Sequence, residues 1–250
     1  MRFLVCVKRV PAPGARIVLA DDRRSIETSH LSFTTSPHEE CAVEAAVELK
    51  EAVGGTVTVL TMGPGQSEEQ LRYAASVGAD EAILIPTDGS DIDPQATASG
   101  ILDAIEAAEG EGAPFDLILF GNESADSGGF QVGIRVAHGL ERPVVSGIKH
   151  LELADGSIEA RREVSNGFEV YRLPLPAVVA VREGINLPRY PTLSGRLKSK
   201  KLEISRHQAE VSPGGLRMVR LESPPAQEVS TEVLDGPSGV VDVLESLGVL

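Results

Sequence analysis

Short apolar runs alternate with helical patterns along the first 140 residues, and this alternation constrains the fold more than any other feature. The runs have the length of buried strands and lie at residues 2–7, 56–61, 82–85 and 117–120. Strands that are joined through helices form a parallel sheet with helices on both faces. We therefore predict an α/β fold with a doubly wound, mostly parallel sheet.

The helices of this pattern have recognisable start signals. Ser36 is a predicted N-cap, Pro37 fits the first helical position, and Glu39 completes a capping box. Ser67 and Gln70 have the spacing of a second capping box. A further helix is predicted to begin at Asp93-Pro94, and another to run through Val132–His138.

The pattern changes after Pro143. Asp155-Gly156 and Asn166-Gly167 each separate two strand-like runs, and both dipeptides are typical of two-residue hairpin turns. We expect a small antiparallel excursion of three strands before Ala177–Val181 returns to the main sheet.

The C-terminal part has a different character. From Leu221 onward it contains six acidic residues and neither lysine nor arginine. We predict a nucleotide-binding domain at residues 1–205, and an extended arm at 206–250 with a short helix at 240–247. The arm is expected to pack on a partner subunit, with a frayed terminus as the equally favoured alternative.

Composition excludes several classes of protein. The net charge is −14, tryptophan is absent and only 4% of residues are aromatic, so a nucleic-acid partner is not expected. No apolar run has the length of a membrane span, and the first residues lack a signal-peptide pattern. Cys6 and Cys41 have no metal-ligand spacing and are expected to be buried free thiols. We expect a cytoplasmic protein without membrane insertion.

Four loops are expected at the carboxyl edge of the sheet, where open α/β sheets bind their ligands. They are the loops at 8–11, 36–39, 62–65 and 121–129. The fourth contains three glycines and precedes a helix whose free N–H groups suit a phosphate. Within it, Asp126 is predicted to cap that helix or to receive a ribose hydroxyl. An ordinary strand–turn–helix connection is the alternative, because no complete dinucleotide or P-loop motif occurs.

A basic, proline-containing loop at residues 184–204 stands out in this acidic chain. Leu193 lies on a predicted turn among the cations Arg189, Arg196, Lys198 and Lys200. Exposed cations steer an acidic partner and an exposed leucine anchors in a pocket, so the loop is predicted to dock another protein.

No catalytic residue and no metal site are predicted. The five histidines are scattered, and none has metal-ligand spacing to a carboxylate or cysteine. No nucleophile and base pair stands out either, so we do not expect an enzyme.

Several segments resemble the beta subunit of electron transfer flavoprotein. The run N-x-P-R-Y-P-T-L-x-G-x-x-K-x-K-K in the docking loop is the most specific. The segments FLVCVKRVP, SPHEECAVEAAVELK, LTMGPGQSEEQLRYAASVGAD and LPAVVAV also resemble this family. The resemblance extends from about residue 1 to 205 and is weaker in the tail.

The resemblance implies a heterodimer with an alpha subunit that makes most of the FAD contacts. It also implies an adenine nucleotide in the beta subunit, AMP in ordinary members and a second FAD in electron-bifurcating ones. Leu193 matches the family's anchor leucine, and Glu163 matches an acid that pairs with an arginine of the mobile FAD domain. Carried over by position, the nucleotide site consists of Cys6, Ser36, Pro37, His38, Glu39, Met62, Gly121, Asn122, Asp126, Ser127, Gly128, Gly129, Phe130, Gln131, Val132 and Gly133.

The chain departs from the family pattern at this site. Family members often have Asn where Ser36 stands, and Asn-Gln-Thr where this chain has Phe130-Gln131-Val132. Pro13 stands where some members have an aromatic residue near the flavin. Two polar side chains near the phosphates are thereby lost, and backbone N–H groups from Gly128, Gly129 and the helix start are expected to replace them.

Two functional hypotheses follow. In the first, the chain is an electron transfer flavoprotein beta subunit that takes electrons from acyl-CoA-type dehydrogenases, as in fatty acid oxidation, and passes them through FAD to a membrane quinone oxidoreductase. In the second, it is a stand-alone nucleotide-binding regulatory module of the universal-stress type. The sequence leaves open which dehydrogenases are donors, and whether AMP or a second FAD fills the beta site.

Overall fold

The computed structural model describes residues 1–90, 92–212, 214–225, 231 and 233–250. Its strands are β1 (Arg2–Cys6), β2 (Val10–Pro11), β3 (Phe33–Thr34), β4 (Thr56–Gly63), β5 (Glu81–Pro86), β6 (Leu117–Gly121), β7 (Val144–Ala154), β8 (Ser157–Val164), β9 (Gly167–Pro174), β10 (Ala177–Val181) and β11 (Ile204–Arg206). The helices are α1 (Pro37–Val53), α2 (Glu68–Val77), α3 (Pro94–Gly110), α4 (Val132–Gly139), α5 (Leu193–Lys200) and α6 (Gly236–Ser246).

The predicted doubly wound sheet is confirmed. Its strand order is β11-β5-β4-β1-β6-β10-β7-β8-β9, and all pairs up to β7 are parallel. From β1 the chain proceeds to β4 and β5 on one side, whereas β6, β10 and β7 lie on the other. The order therefore reverses between β1 and β6, which is the position where sheets of this kind bind ligands.

Side chains of β1 alternate between two apolar layers. Phe3 and Val5 pack with α1 and α2, whereas Leu4 and Cys6 pack with α3 and α4. This period of two is what a strand buried on both faces requires. Cys6 and Cys41 are both buried and free, as expected.

The antiparallel excursion is also confirmed. β7, β8 and β9 form two successive antiparallel pairs, and β10 then returns between β6 and β7. Asp155 and Gly156 have φ values of 39° and 76°, the left-handed conformation of a tight hairpin turn. The second turn lies one residue earlier than predicted, because Gly167 already belongs to β9.

Of the two predicted capping boxes, one is confirmed and one is wrong. The Ser36 hydroxyl accepts from Glu39 N at 3.3 Å, and Ser36 N donates to Glu39 Oε2 at 2.9 Å. Ser67 instead ends a 3₁₀ turn that begins at Gly65, and its backbone is helical, so its side chain caps nothing. Both Ser67 and Gln70 point into the protein and are buried.

The boundary predicted at residue 205 lies inside β11, which extends the main sheet along β5. The following segment then runs over α3 of its own chain, where His207 Nε2 lies 2.7 Å from Asp103 Oδ2 and Leu216 N donates to Asp93 Oδ2 at 2.8 Å. The expected terminal helix is present as α6, although residues 213, 226–230 and 232 of the predicted arm lie outside the described part. Among the described residues, no helix is long and apolar enough to cross a membrane.

Candidate functional site

Most of the predicted nucleotide-site residues converge at the carboxyl edge of β1, β4 and β6. Cys6 ends β1, where it pairs in register with Leu60 and Phe120, and Gly121 ends β6. The start of α1 packs directly on this edge. A Cβ atom at Gly121 would lie 2.7 Å from Glu39 Cγ, so only glycine permits this approach.

Glu39 is the buried centre of this edge. Its carboxylate accepts from Ser36 N at 2.9 Å and from Lys8 N at 3.0 Å, which ties the loop after β1 to the helix start. Burial raises the pKa of Glu39 to about 8, although these hydrogen bonds oppose the rise. Burial, and secondarily the charge of Glu39, also raises the pKa of the Cys6 thiol, which makes that thiol a poor nucleophile.

His38 is bonded to its own chain on both sides of the ring. Its Nδ1 accepts from Glu183 N at 2.8 Å, so the ring proton lies on Nε2, which faces Glu123 Oε1 at 3.3 Å. The side chain is only 17% exposed. His38 therefore connects α1 with the loops after β6 and β10.

Asp126 forms an ion pair instead of a helix cap. Lys8 Nζ lies 2.7 Å from Asp126 Oδ2, and Ser127 N donates to Asp126 Oδ1 at 2.8 Å. Burial would raise the pKa of this carboxyl, but the hydrogen bond and charge of Lys8 leave it below its ordinary value. The capping alternative is excluded, and a cation stands beside the predicted ligand loop.

The loop between β6 and α4 has an open backbone beside Gly129 and the start of α4, but Gly128 N already donates to Ser124 O at 3.0 Å, so the phosphate donor expected at Gly128 is occupied. Gly128 and Gly129 have no neighbour closer than 3.8 Å to the position of a Cβ atom. The N-terminus of α4 has no side-chain cap, because Gln131 accepts instead from Arg135 Nε at 3.2 Å. Among the described residues the first turn of α4 thus keeps its N–H groups free, which fits an anion.

Phe130 is the unusual residue of this loop. Its φ of 54° is left-handed, a conformation that is unfavourable for residues with a Cβ atom, and its side chain is 53% exposed. Val132, the other apolar departure from the family pattern, begins α4.

A second surface lies on the side of α2 away from the sheet. The segment predicted as a loop turn is in fact helix α5, capped by Thr192 Oγ1, which accepts from Gly195 N at 3.0 Å. Leu193 is 77% exposed, as predicted, and Leu197 follows on the same side one turn later. Leu187 and Tyr190 are about as exposed, at 90% and 91%. We call Leu187, Tyr190, Leu193 and Leu197 the apolar ridge.

Sequence reasoning found only one of the four ridge residues. Leu193 and Leu197 are four residues apart and follow a threonine that can cap a helix, and this spacing indicates a helix with both leucines on one side. The prediction of a turn at this segment did not use that signal. Arg196, Lys198 and Lys200 surround the ridge, as predicted, and each is exposed.

Arg189 is held by its own chain more firmly than these exposed cations, of which only Lys198 has an ion pair in the described residues, at 4.0 Å from Asp80 Oδ1. Its Nε donates to Glu44 Oε1 at 2.9 Å, and its Nη1 donates to Glu51 Oε1 at 2.7 Å. Hydrogen bonds to Glu51 and Glu44 raise the pKa of the guanidinium further. Its charge is already neutralised within the chain, so the geometry corrects the predicted steering role: Arg189 fixes the loop to α1.

Comparison with known proteins identifies the family of the chain. A family model described as "Electron transfer flavoprotein domain" matches residues 25–212. The chain belongs to the electron transfer flavoprotein family. Relatives named "Electron transfer flavoprotein subunit beta" include one from Bacillus subtilis, 36% identical over 202 residues, which cover 80% of this chain and 76% of the relative. Those from Syntrophomonas wolfei and Dictyostelium discoideum are 32% and 27% identical, over 95% and 99% of this chain and 91% and 97% of the relatives.

The beta-subunit relatives favour the first functional hypothesis over the regulatory module. Membership of a flavoprotein family implies association with a flavin, and a beta subunit implies an alpha subunit. No group of His, Cys, Asp or Glu side chains within the described ranges has the arrangement of a metal site.

Glu163, the predicted contact of the mobile FAD domain, lies far along the sheet on β8. Its carboxylate is half exposed, and Oε2 lies 2.9 Å from Lys149 Nζ, which lowers the pKa of Glu163. Phe168 is its cross-strand neighbour and is 62% exposed. The surface at this position therefore carries an acid beside an exposed aromatic ring, and its contact with the FAD domain stays a prediction.

Proposed function

We propose that this chain is the beta subunit of a heterodimeric electron transfer flavoprotein, which accepts electrons from acyl-CoA-type dehydrogenases and delivers them to a membrane quinone oxidoreductase. It acts in the cytoplasm as a carrier subunit and has no catalytic residues of its own. Bound FAD supplies the redox chemistry, while the protein supplies binding, orientation and electrostatics.

The exposed apolar ridge is the observation that carries this proposal. Four large apolar side chains project from one short segment, and the cations Arg196, Lys198 and Lys200 surround them. Such a surface fits a protein with an apolar pocket in an acidic rim, because clustered anchors dominate affinity while rim charges control association rate. We assign this surface to the dehydrogenase.

The carboxyl-edge site is proposed to bind AMP. The free N–H groups of α4 and the amine of Lys8 suit one phosphate, and Gly128 and Gly129 allow close approach of the backbone. Glu123 is the proposed acceptor for ribose hydroxyls, whereas Asp126 holds Lys8 in place. In a bifurcating complex the same site would take a second FAD.

We also propose that the chain consists of a nucleotide-binding domain at residues 1–205 and an arm at residues 206–250. In α6 no residue is buried, and Val240, Val241, Leu247 and other apolar side chains are exposed. An alpha subunit is the proposed cover for this helix, as it is for Glu163 on β8. FAD would then lie at the interface, held mostly by the alpha subunit.

Copurification with the alpha subunit tests this function. The chain alone should bind little FAD, and the coexpressed pair should form a yellow heterodimer with one FAD. The heterodimer should be reduced when an acyl-CoA dehydrogenase and its substrate are added. A colourless homodimer that binds ATP, with no complex formed on coexpression, would contradict the proposal.

A further inference from the structure

Helix α5 carries half of the apolar ridge, yet it buries no apolar side chain. Ser199 is its only buried residue, whereas Leu193 and Leu197 face outward. A helix of eight residues is unstable alone in water, since packing supplies most helical stability. Polar contacts therefore contribute to holding α5 in place, together with Leu202, which packs on the core directly after the helix.

Arg72 on α2 makes this connection. Its Nη1 donates to the carbonyl oxygens of Ser199 at 2.9 Å, Leu202 at 3.2 Å and Lys200 at 3.4 Å. Carbonyl groups at the end of a helix have no partner within it, and a cation there also complements the helix dipole. One guanidinium from another element thus caps the C-terminus of α5.

The other end of α5 is held by close contact. Thr192 caps the first turn, and Gly195 approaches the carbonyl of Ser76 so closely that any Cβ atom would collide with it. The glycine contact fixes the position of the helix but supplies no polar bond across to α2. At the second turn, where Leu197 lies, Arg72 makes three hydrogen bonds, whereas the only other polar contact to this part of the fold in the described residues is the longer ion pair of Lys198 Nζ with Asp80 Oδ1 at 4.0 Å.

We infer that Arg72 is a positioning residue for dehydrogenase docking, which it serves by holding α5 and its ridge in the binding orientation before the partner arrives. Preorganisation raises affinity because the ordering cost is removed from the binding step. This inference rests on the proposed function of the ridge. Arg72 itself, 35% exposed and hydrogen-bonded to its own chain, need not touch the partner.

A matched control exists on the same surface. Glu68 pairs with Arg72 on one side and with Arg206 of β11 on the other. Among the described residues, the side chain of Arg206 bonds to Glu68 and donates to no carbonyl group of α5. Arg206→Gln removes a cation from Glu68, as Arg72→Gln does, but it leaves the hydrogen bonds between Arg72 and α5 in place.

The experiment compares heterodimers with Arg72→Gln, Arg72→Lys, Arg206→Gln and Leu193→Ala in an acyl-CoA dehydrogenase assay. Arg72→Gln should raise the KM for the flavoprotein by about tenfold, on the scale of ordering costs at interfaces, and leave kcat unchanged. Arg72→Lys should recover part of the loss, and Arg206→Gln should match the wild type. Hydrogen exchange of the α5 amides should accelerate in Arg72→Gln, with β4 unchanged.

Each outcome has a definite meaning. A normal KM for Arg72→Gln, an equal rise in Arg206→Gln, or a fall in kcat without a rise in KM would overturn the inference. If Arg72→Gln does not assemble, Arg72→Lys decides the question by the same criteria. If Leu193→Ala also keeps a normal KM, the ridge is not the docking surface, and the proposed function of the ridge fails together with the inference.

Discussion

Lys8 Nζ lies 2.7 Å from Asp126 Oδ2, and this ion pair joins the loop after β1 to the loop after β6. Lys8 thereby neutralises the carboxylate nearest to the proposed phosphate position. Lys8→Met should lower AMP affinity by roughly tenfold, since a hydrogen bond to a charged group contributes about 1.5–3 kcal/mol. Titration of AMP into the nucleotide-free heterodimer measures this.

Asp126→Asn is the control for the ion pair. It frees Lys8 to meet the phosphate, so AMP affinity should stay within about threefold of the wild type, less than one charged hydrogen bond. An equal loss in both variants would mean that Asp126 contacts the nucleotide itself, through a ribose hydroxyl.

Phe130→Asn should stabilise the protein. A left-handed φ costs a residue with a bulky side chain about 1–2 kcal/mol, and asparagine tolerates it better. We expect the free energy of unfolding in urea to rise by about 0.5–1 kcal/mol, since part of that strain remains. Val132→Thr restores the other family residue at an ordinary helical position, so it should give no such gain; an equal gain there would refute the strain argument.

Local sequence signals correctly predicted features whose interacting residues are close together in the sequence. Ser36 and Glu39 are three residues apart, and Asp155-Gly156 makes its own turn, so both predictions were confirmed. The box at Ser67 was wrong because a preceding 3₁₀ turn had already satisfied the helix start. The spacing of side chains does not show whether a 3₁₀ turn precedes the helix.

The sequence predicted which loops form the site, but it did not predict which side chains within them pair with each other. Convergence at the carboxyl edge follows from the topology, and the glycines of the fourth loop indicated which loop was open. The pairing of Arg189 with Glu44 joins residues 145 positions apart, and no local signal reveals it. Arg72 was missed for the same reason, because its partners are main-chain oxygens about 130 residues away.

The free energy of unfolding should fall as the pH rises, because burial raises the pKa of Glu39. Its folded pKa of about 8 exceeds the ordinary value of 4.5, so between these values the folded state holds a proton that the unfolded state has lost. The free energy of unfolding should therefore decrease between about pH 4.5 and 8, by at most about 1.4 kcal/mol per unit from this group.

Urea unfolding of wild type and Glu39→Gln at several pH values tests this. The variant cannot titrate at this position, so its slope in that window should be shallower than that of the wild type. The exposed Glu51→Gln should keep the wild-type slope. Identical slopes in wild type and Glu39→Gln would show that the buried carboxyl stays ionised.

Arg189→Gln should destabilise the protein, because it leaves the 5% exposed Glu44 side chain without its charge partner. Removing one member of a buried pair costs about 3–5 kcal/mol, and the partial exposure of Arg189 reduces this to about 2 kcal/mol. Glu51 is 55% exposed, so Glu51→Gln should cost less than about 0.5 kcal/mol. Equal losses, measured by chemical unfolding, would refute a buried anchoring role for the arginine.

Leu193→Ala should impair docking without weakening the fold. At 77% exposure the side chain contributes little to the core, whereas a buried interface anchor typically contributes about 2 kcal/mol or more to binding. Electron transfer from the dehydrogenase should therefore need a roughly thirtyfold higher concentration of the flavoprotein. Leu197→Ala, on the same side of α5 but 55% exposed, should have a smaller effect in the same direction.

Charge reversal at Lys198 and Lys200 separates steering from anchoring. Both side chains are exposed, so Lys198→Glu with Lys200→Glu should slow association most at low salt and lose its effect as screening increases. The Leu193→Ala defect should persist at every salt concentration, because an apolar contact is not screened. Were Leu193→Ala instead to lower the unfolding free energy and leave dehydrogenase affinity intact, the leucine would belong to the fold, and the docking surface would have to lie elsewhere.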